Sequence, residues 1–455
     1  MITTRRQPLV LLVNPWIADF AAYDFWSKPY GLLQLGAVLR QQGCRLQLID
    51  CLDRHHPALG SWPVPTDKAD GTGRFIREEI SKPAPLRDVP RKYCRYGLPV
   101  SVVRGLLGAA EPPDAILLTS GMVYWYPAVE EMAGLLREYF PHTPLILGGW
   151  YATLAPEHAM KAIRPDHLVR GEGEGPCSRL IADIVGGMTP AKLSADLDLL
   201  PWPCFDLYPD LRSVAILTSR GCPYDCTFCA SRILADGYRR RAPHRVLEEI
   251  RHWRDRHSIV QMAFFDDALL HRPEEYAKPL LTALAGDGKK VHFHTPNGLQ
   301  PRWIDAEMAQ LLHAAGFQSL RLSLESASPQ RQKSMSFKVT AGELARAVRH
   351  LHDAGFARHQ IGVYILMGLP DQSWEEVRES AQMAHDLKAG VFPAYFSPIP
   401  GTVEWQRAIG SGWWKEEDDL LLSNNSLFPI WRRRYGYDRC LEFTLWLKDL
   451  NQRGE

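Results

Sequence analysis

Residues 217–232 read LTSRGCPYDCTFCASR, and Cys222, Cys226 and Cys229 within them have the spacing C-x3-C-x2-C. A [4Fe-4S] cube is commonly held by four thiolates. Three closely spaced cysteines in one loop hold three irons and leave the fourth open to a small molecule. An open coordination position is what a chemically active metal centre needs. Gly221 and Pro223 permit a tight loop, and Phe228 directly precedes the third cysteine. The competing readings are buried free thiols or a zinc site. Zinc calls for a second nearby pair of Cys or His ligands, and the nearest candidates, Cys204 and His244, lack that spacing. The chain has 455 residues and nine cysteines, the remainder widely spread. That usage points to a reducing, cytoplasmic setting rather than a disulfide scaffold.

Working outward, strands are predicted near 214–219, 260–266, 291–295, 319–324, 361–366 and 391–397. Helices are predicted between them at 243–256, 273–285, 305–315, 341–354 and 374–388. Six βα units over 213–408 predict a partial (β/α)6 TIM barrel, open on one side. The Trp-rich, charged stretch from 409 to 455 reads as a small helical cap or tail. Upstream, PLVLLVNP, YGLLQLGAVLRQQG and RLQLIDC read strand, helix, strand. The pattern resumes with DAILLTS, PLILGGWYA and DHLVRGEGEGP, each followed by a helix. Alternation of this kind predicts a doubly wound, Rossmann-like parallel sheet over 1–188. Residues 54–112 lack sustained periodicity and read as an insertion with a long loop and one short helix near 100–108. Residues 189–212, with Pro201, Pro203 and Pro209, read as a connector. The fold class is therefore α/β throughout, with two parallel sheets in series.

Residues 213–400 resemble the radical S-adenosylmethionine superfamily, whose defining motif is the C-x3-C-x2-C loop. The resemblance implies that the open iron chelates the methionine amino and carboxylate groups of S-adenosylmethionine. One electron from the cluster then cleaves the sulfonium to methionine and a 5′-deoxyadenosyl radical. It also implies S-adenosylmethionine contacts at Phe228, at Asp266 and Asp267 in FFDDALL, and at Ser323 and Glu325 in RLSLES. The segment GVYILMGLP (362–370) is similar to the part of the family's barrel near the adenine. His292 and His294 share one strand face, and a satisfied polar core is the preferred reading over proton transfer.

The first domain resembles the cobalamin-binding domain found ahead of many such barrels. Candidate cobalamin contacts are Ser120, Gly121, Tyr124 and Trp125 in SGMVYWYP, Gly148 and Gly149, and Gly171, Glu172 and Gly173. Turns rich in glycine allow a large planar ligand to approach the backbone closely. Many cobalamin proteins carry Asp-x-His-x-x-Gly after the first strand. Here that place reads NPWIADFAAYDF and contains no His.

The expectation is a radical S-adenosylmethionine enzyme using a [4Fe-4S] cluster, S-adenosyl-L-methionine and cobalamin to methylate an unactivated carbon. The alternatives are a cyclase, a rearrangement enzyme or another oxidoreductase without bound cobalamin. From a different class, the alternative is a non-catalytic iron–sulfur electron-transfer or sensor protein. Fifty-three basic against 52 acidic residues give a net charge of +1, which does not favour nucleic acid. No apolar run reaches membrane-span length, and the first residues read as a strand rather than a signal peptide. The expected partners are a small-molecule, lipid or peptide substrate and an electron donor such as flavodoxin or ferredoxin.

Overall fold

The computed structural model describes residues 7–453, apart from 193 and 337. The chain divides into two compact units, Met1–Arg212 with Ile233–Asp236, and Ser213–Arg232 with Gly237–Glu455.

The first unit is built on five parallel strands: β1 (Leu9–Asn14), β2 (Arg45–Asp50), β3 (Ala115–Leu118), β4 (Leu145–Leu147) and β5 (His167–Leu168). Their order in the sheet is β5-β4-β3-β1-β2. The strand Leu9–Val13 is apolar at every position and almost wholly buried, as a central strand covered on both faces must be. The helices α1 (Tyr30–Gln41), α2 (Val100–Ala109), α3 (Tyr126–Tyr139), α4 (Trp150–Leu154) and α5 (Pro156–Ile163) lie between these strands, and α6 (Glu174–Val185) follows β5. α1 buries Leu32, Leu35, Val38 and Leu39 at helical spacing.

Two features depart from the sequence reading. The insertion is not merely loop. Cys94–Tyr96 pairs with both Ile17–Asp19 and Arg77–Glu79, and Tyr23–Asp24 pairs with Gly73–Arg74. Strands of two or three residues are too short to show a period. Residues 197–208 are also not a free connector. Cys204 Sγ reaches the Leu33 carbonyl at 2.9 Å, Gln34 Nε2 donates to Pro201 O at 2.5 Å, and Tyr208 donates its hydroxyl to Asp50. Buried Leu197, Phe205 and Tyr208 hold the segment down without any periodic pattern.

The second unit is a six-stranded parallel sheet: β6 (Ser213–Ile216), β7 (Gln261–Phe264), β8 (His292–Leu299), β9 (Phe317–Glu325), β10 (Ile361–Met367) and β11 (Gly390–Tyr395). The strands lie in chain order, with β6 and β11 as its two edges. Its connecting helices are α7 (Pro243–His257), α8 (Ala277–Gly286), α9 (Ala306–Ala314), α10 (Pro329–Ser334), α11 (Ala341–Asp353) and α12 (Trp374–Asp386). This is a partial (β/α)6 barrel. α11 starts on a capping box, Thr340 with Glu343.

After β11 come α13 (Val403–Gly410), α14 (Pro429–Tyr435) and α15 (Tyr437–Gln452). The tail packs on the last βα unit. The ring of Trp374 in α12 lies 4.0 Å from Trp431 and 5.0 Å from Phe443. Asn451 in α15 exchanges two hydrogen bonds of 2.8 Å with the backbone of Val391 in β11. No described helix is long and apolar enough to cross a membrane.

Candidate active site

The cysteine loop leaves the C-terminal end of β6. Its base is clamped by a two-residue hairpin in which Ser219–Arg220 pairs with Arg239–Arg240. Gly221 has φ +72, and a Cβ there would strike the Gly237 carbonyl, so only glycine fits. Cys229 N donates to Cys226 O at 3.0 Å, turning the chain between the last two cysteines. From outside the loop, Glu404 at the start of α13 fastens it twice. The Glu404 amide donates to Thr227 O at 3.0 Å, and Thr227 Oγ1 donates to the Glu404 carboxylate at 2.8 Å.

Cys222 and Cys226 are half-buried and Cys229 is exposed. Burial pushes the Cys222 thiol up to about 12 and that of Cys226 upward as well. A bound metal cation favours the thiolate form. Among the described residues, the three Sγ atoms do not all lie within 4.8 Å of one another. Sulfurs around one tetrahedral zinc, at about 2.3 Å from the metal, stand about 3.8 Å apart. A cube, by contrast, spreads its cysteine ligands over different irons. The three carboxylates that do come within 4.8 Å, on Glu274, Asp305 and Glu307, surround the Lys278 ammonium at 2.5 to 3.1 Å.

The barrel places the other expected residues unequally around this loop. Asp266 is buried, and its carboxylate accepts from Thr218 N at 3.0 Å, Thr218 Oγ1 at 2.8 Å and Ser219 Oγ at 2.6 Å. Through these bonds it braces the base of the loop. Asp267 is turned toward the cysteines. Its Oδ2 accepts from Ser231 Oγ at 2.7 Å, and that hydroxyl is 3.1 Å from Cys229 Sγ. Phe228 is half-buried between Thr227 and Cys229. Ser323 and Glu325 end β9, and the ladder with β10 is bulged between them. The bulge leaves Glu325 at φ +68. His294 is a satisfied core group, bonded to Ser319 at 2.9 Å and Gln261 at 2.8 Å.

Sequence reasoning missed Ser336 and Lys338, which precede α11. Ser336 Oγ is 3.2 Å from Cys226 Sγ, and Lys338 Nζ donates to Ser323 Oγ at 3.3 Å. Burial works against the Lys338 charge, but Glu325 and the cysteine sulfurs outweigh it and hold the ammonium above the ordinary lysine range. No local motif marks either residue. Glu404 was missed for the same reason.

In the first unit the strand ends are stitched by small residues. Ser120 Oγ donates to Gly148 O at 2.6 Å, and Trp150 N donates to Ser120 O at 2.9 Å. Gly149, at φ +94, lies so close to Ser120 that a Cβ would overlap its backbone. Thr153 Oγ1 donates to Gly149 O at 2.8 Å and accepts from Gly171 N at 3.0 Å. A Cβ on Gly171 would meet nothing within 4 Å. Gly173 caps α6, and Glu172 accepts from Asp236 N at 3.4 Å.

The aromatic residues of this unit differ in exposure. Tyr124 is buried, and Trp125 packs over Gly121 and against Ile17, Phe75, Cys94 and Tyr96, donating Nε1–H to Asp19 at 2.7 Å. Tyr124 is a core ring, and Trp125 is half-buried at the edge of that cluster. The aromatic left half exposed beside the glycines is Trp150. Its signal in the sequence is its place directly after Gly148-Gly149.

Residues 216–384 match the family model of the Radical SAM superfamily. An uncharacterized methyltransferase of Pyrococcus horikoshii is 25% identical over 70% of this chain and 72% of its own length. The cytidylyl-2-hydroxyethylphosphonate methyltransferase of Streptomyces wedmorensis is 24% identical over 92% of this chain and 84% of its own. Among solved structures, the radical S-adenosylmethionine methyltransferase TsrM of Kitasatospora setae, with cobalamin and a [4Fe-4S] cluster bound, superposes with a TM-score of 0.62. That match is 18% identical and covers 89% of this chain and 76% of TsrM. A cysteine loop at the end of the first barrel strand, a six-stranded partial barrel and a doubly wound unit before it all agree with these likenesses: residues 216–384 are a Radical SAM domain, and the chain has the fold of TsrM.

Proposed function

We propose that this chain transfers a methyl group to an unactivated carbon, with a [4Fe-4S] cluster on Cys222, Cys226 and Cys229 and cobalamin on the first unit. The observation that carries the reading is the three-thiol loop that follows β6 and lies within the matched residues 216–384. When bound, the cluster supplies an open iron for S-adenosylmethionine and the electron that cleaves its sulfonium. Cobalamin supplies the methyl carrier.

The chain's own residues do the rest. Thr227 and Glu404 fix the loop, and Asp266 anchors its base through Thr218 and Ser219. Asp267, through Ser231, offers a carboxylate beside the open side of the loop to an amino group. Ser323 and Glu325, at the end of β9, are the acceptors for ribose hydroxyls. In the first unit, Ser120 holds Gly148, and Gly149 and Gly171 let a flat macrocycle meet backbone rather than side chain. Trp150 offers the exposed ring.

The methyltransferase names of the Pyrococcus and Streptomyces relatives support methyl transfer. Relatives named as magnesium-protoporphyrin IX monomethyl ester cyclases keep ring formation as the second reading, and the substrate class is a small molecule, lipid or peptide. The electron donor is of the flavodoxin or ferredoxin type, and the cell compartment is the reducing cytoplasm. The test is anaerobic reconstitution with iron, sulfide and hydroxocobalamin. Stoichiometric cobalt, S-adenosylhomocysteine and 5′-deoxyadenosine in the products support the reading. A protein that forms 5′-deoxyadenosine but never retains cobalt points to a barrel acting alone and overturns the methyl-transfer part.

A further inference from the structure

Ser336 and Lys338 have no part in the reading above, yet both point at the cysteine loop. They lie between α10 and α11, more than a hundred positions after the cysteines. Ser336 is held at φ +114, a region L-residues rarely enter. That conformation brings its hydroxyl to 3.2 Å from Cys226 Sγ. Two residues on, the Lys338 ammonium sits on Ser323 Oγ at 3.3 Å, in the field of Glu325 and all three thiols. Glu325 is itself turned to this place by the bulge in β9, at φ +68. Two non-glycine residues at positive φ thus converge on one spot, and strain of this kind persists where the surroundings over-determine it.

The charges explain the arrangement. Three thiolates and one carboxylate contribute four negative charges, and an oxidised four-iron, four-sulfide core contributes two positive ones. The site is already anionic before an electron arrives. Adding one more charge to a half-buried anion is opposed by Coulomb repulsion that water screens only in part. A fixed ammonium in the same field offsets it. A hydroxyl donating to a cysteine sulfur works in the same direction, since hydrogen bonds to the sulfurs and net charge are among the factors that set cluster potential.

We propose that Lys338 and Ser336 set the reduction potential of the cluster site, raising it so that a low-potential one-electron donor can load it. They are positioning residues: the donor loses one electron, the cluster gains it, and neither residue changes its bonds or protons. The inference rests on the cluster reading given above.

The test uses the full chain, reconstituted anaerobically, as wild type, K338M, K338R and S336A. Iron and sulfide are assayed first, then the midpoint is read by EPR-monitored titration with dithionite and mediators. K338M is expected to keep its iron and shift the midpoint downward by about 59 mV or more, a tenfold change in the reduced-to-oxidised ratio. K338R is expected to restore most of the loss, and S336A to shift less in the same direction. K338M with full iron and an unmoved midpoint overturns the proposal. If K338M loses its iron, S336A decides, and an unmoved midpoint there overturns it equally. Wild-type protein that holds no iron and sulfide defeats the cluster reading instead, which is a separate result.

Discussion

The two parallel sheets present opposite kinds of surface at their strand ends. The barrel ends in reactive and charged side chains: three thiols, Asp267, Glu325 and Lys338 around one loop. The first unit's sheet ends in near-bare backbone, with Gly148, Gly149 and Gly171 tied together by the hydroxyls of Ser120 and Thr153. The difference teaches how each sheet can bind. Where bonds to metal are made, side-chain identity carries the function. Where a broad flat ligand is received, the absence of side chains carries it, and hydroxyls from below keep the bare backbone from collapsing.

Four perturbations would break or sharpen that contrast. The largest effect belongs to the thiols. Cys222→Ala, Cys226→Ala or Cys229→Ala is expected to remove the cluster's visible absorbance and reduce 5′-deoxyadenosine formation to background. A triple variant that keeps its iron and sulfide would break the contrast on the barrel side. Next comes Gly149→Val. The positive φ and the collision with Ser120 predict a loss of about 3 kcal/mol in stability, together with cobalamin binding. Gly171→Ala, pointing into open space, should cost only about 1 kcal/mol and lower the cobalt content less than Gly149→Val does. Equal cobalamin retention by both variants, measured by cobalt content, would remove the claim for bare backbone.

Asp266→Ala leaves the donors of Thr218 and Ser219 buried without their acceptor. A loss of about 2 kcal/mol is expected in denaturant unfolding, with faster cluster loss in air. Unchanged stability would mean that Asp266 is free for ligand after all.

The smallest effect is a pH dependence in the first unit. Asp53 is 1% exposed, its Oδ2 has no protein partner, and burial pushes its carboxyl up to about 6. Unfolded, the group titrates near 3.9. The folded chain therefore binds more protons between these values. The stability from this group is complete below about pH 4 and lost as pH rises through about 6. Asp53→Asn is expected to be more stable than wild type by about 1–2 kcal/mol at pH 8, with no gain at pH 4. Urea midpoints at the two pH values check the sign.

The sequence made legible what is local or periodic. The strand runs gave both sheets, and three cysteines within eight residues gave the reactive loop without any tertiary knowledge. What stayed hidden is contact at a distance. Lys338 and Ser336 sit in an unremarkable stretch, and only the bulge in β9 and the turn before α11 bring them to the thiols. Glu404 reaches the loop across 177 positions. Asp266 and Asp267 are neighbours in a strand-end motif, yet the backbone aims one at the loop's base and the other at Ser231. The packing of Trp125 on Ile17, Phe75, Cys94 and Tyr96 was not legible because these partners lie in strands too short to read or outside any strand. The segment 197–208 looked like a linker because burial there follows no period.

The paired amide bonds of Asn451 have a practical consequence. β11 is the last strand of an open sheet, and its unpaired peptide groups would otherwise offer a template to another chain. The Asn451 carboxamide mimics one residue of a neighbouring strand at Val391. Shortening the protein before that asparagine therefore uncovers a sticky margin, and the first symptom in the laboratory would be self-association in solution rather than weakened chemistry.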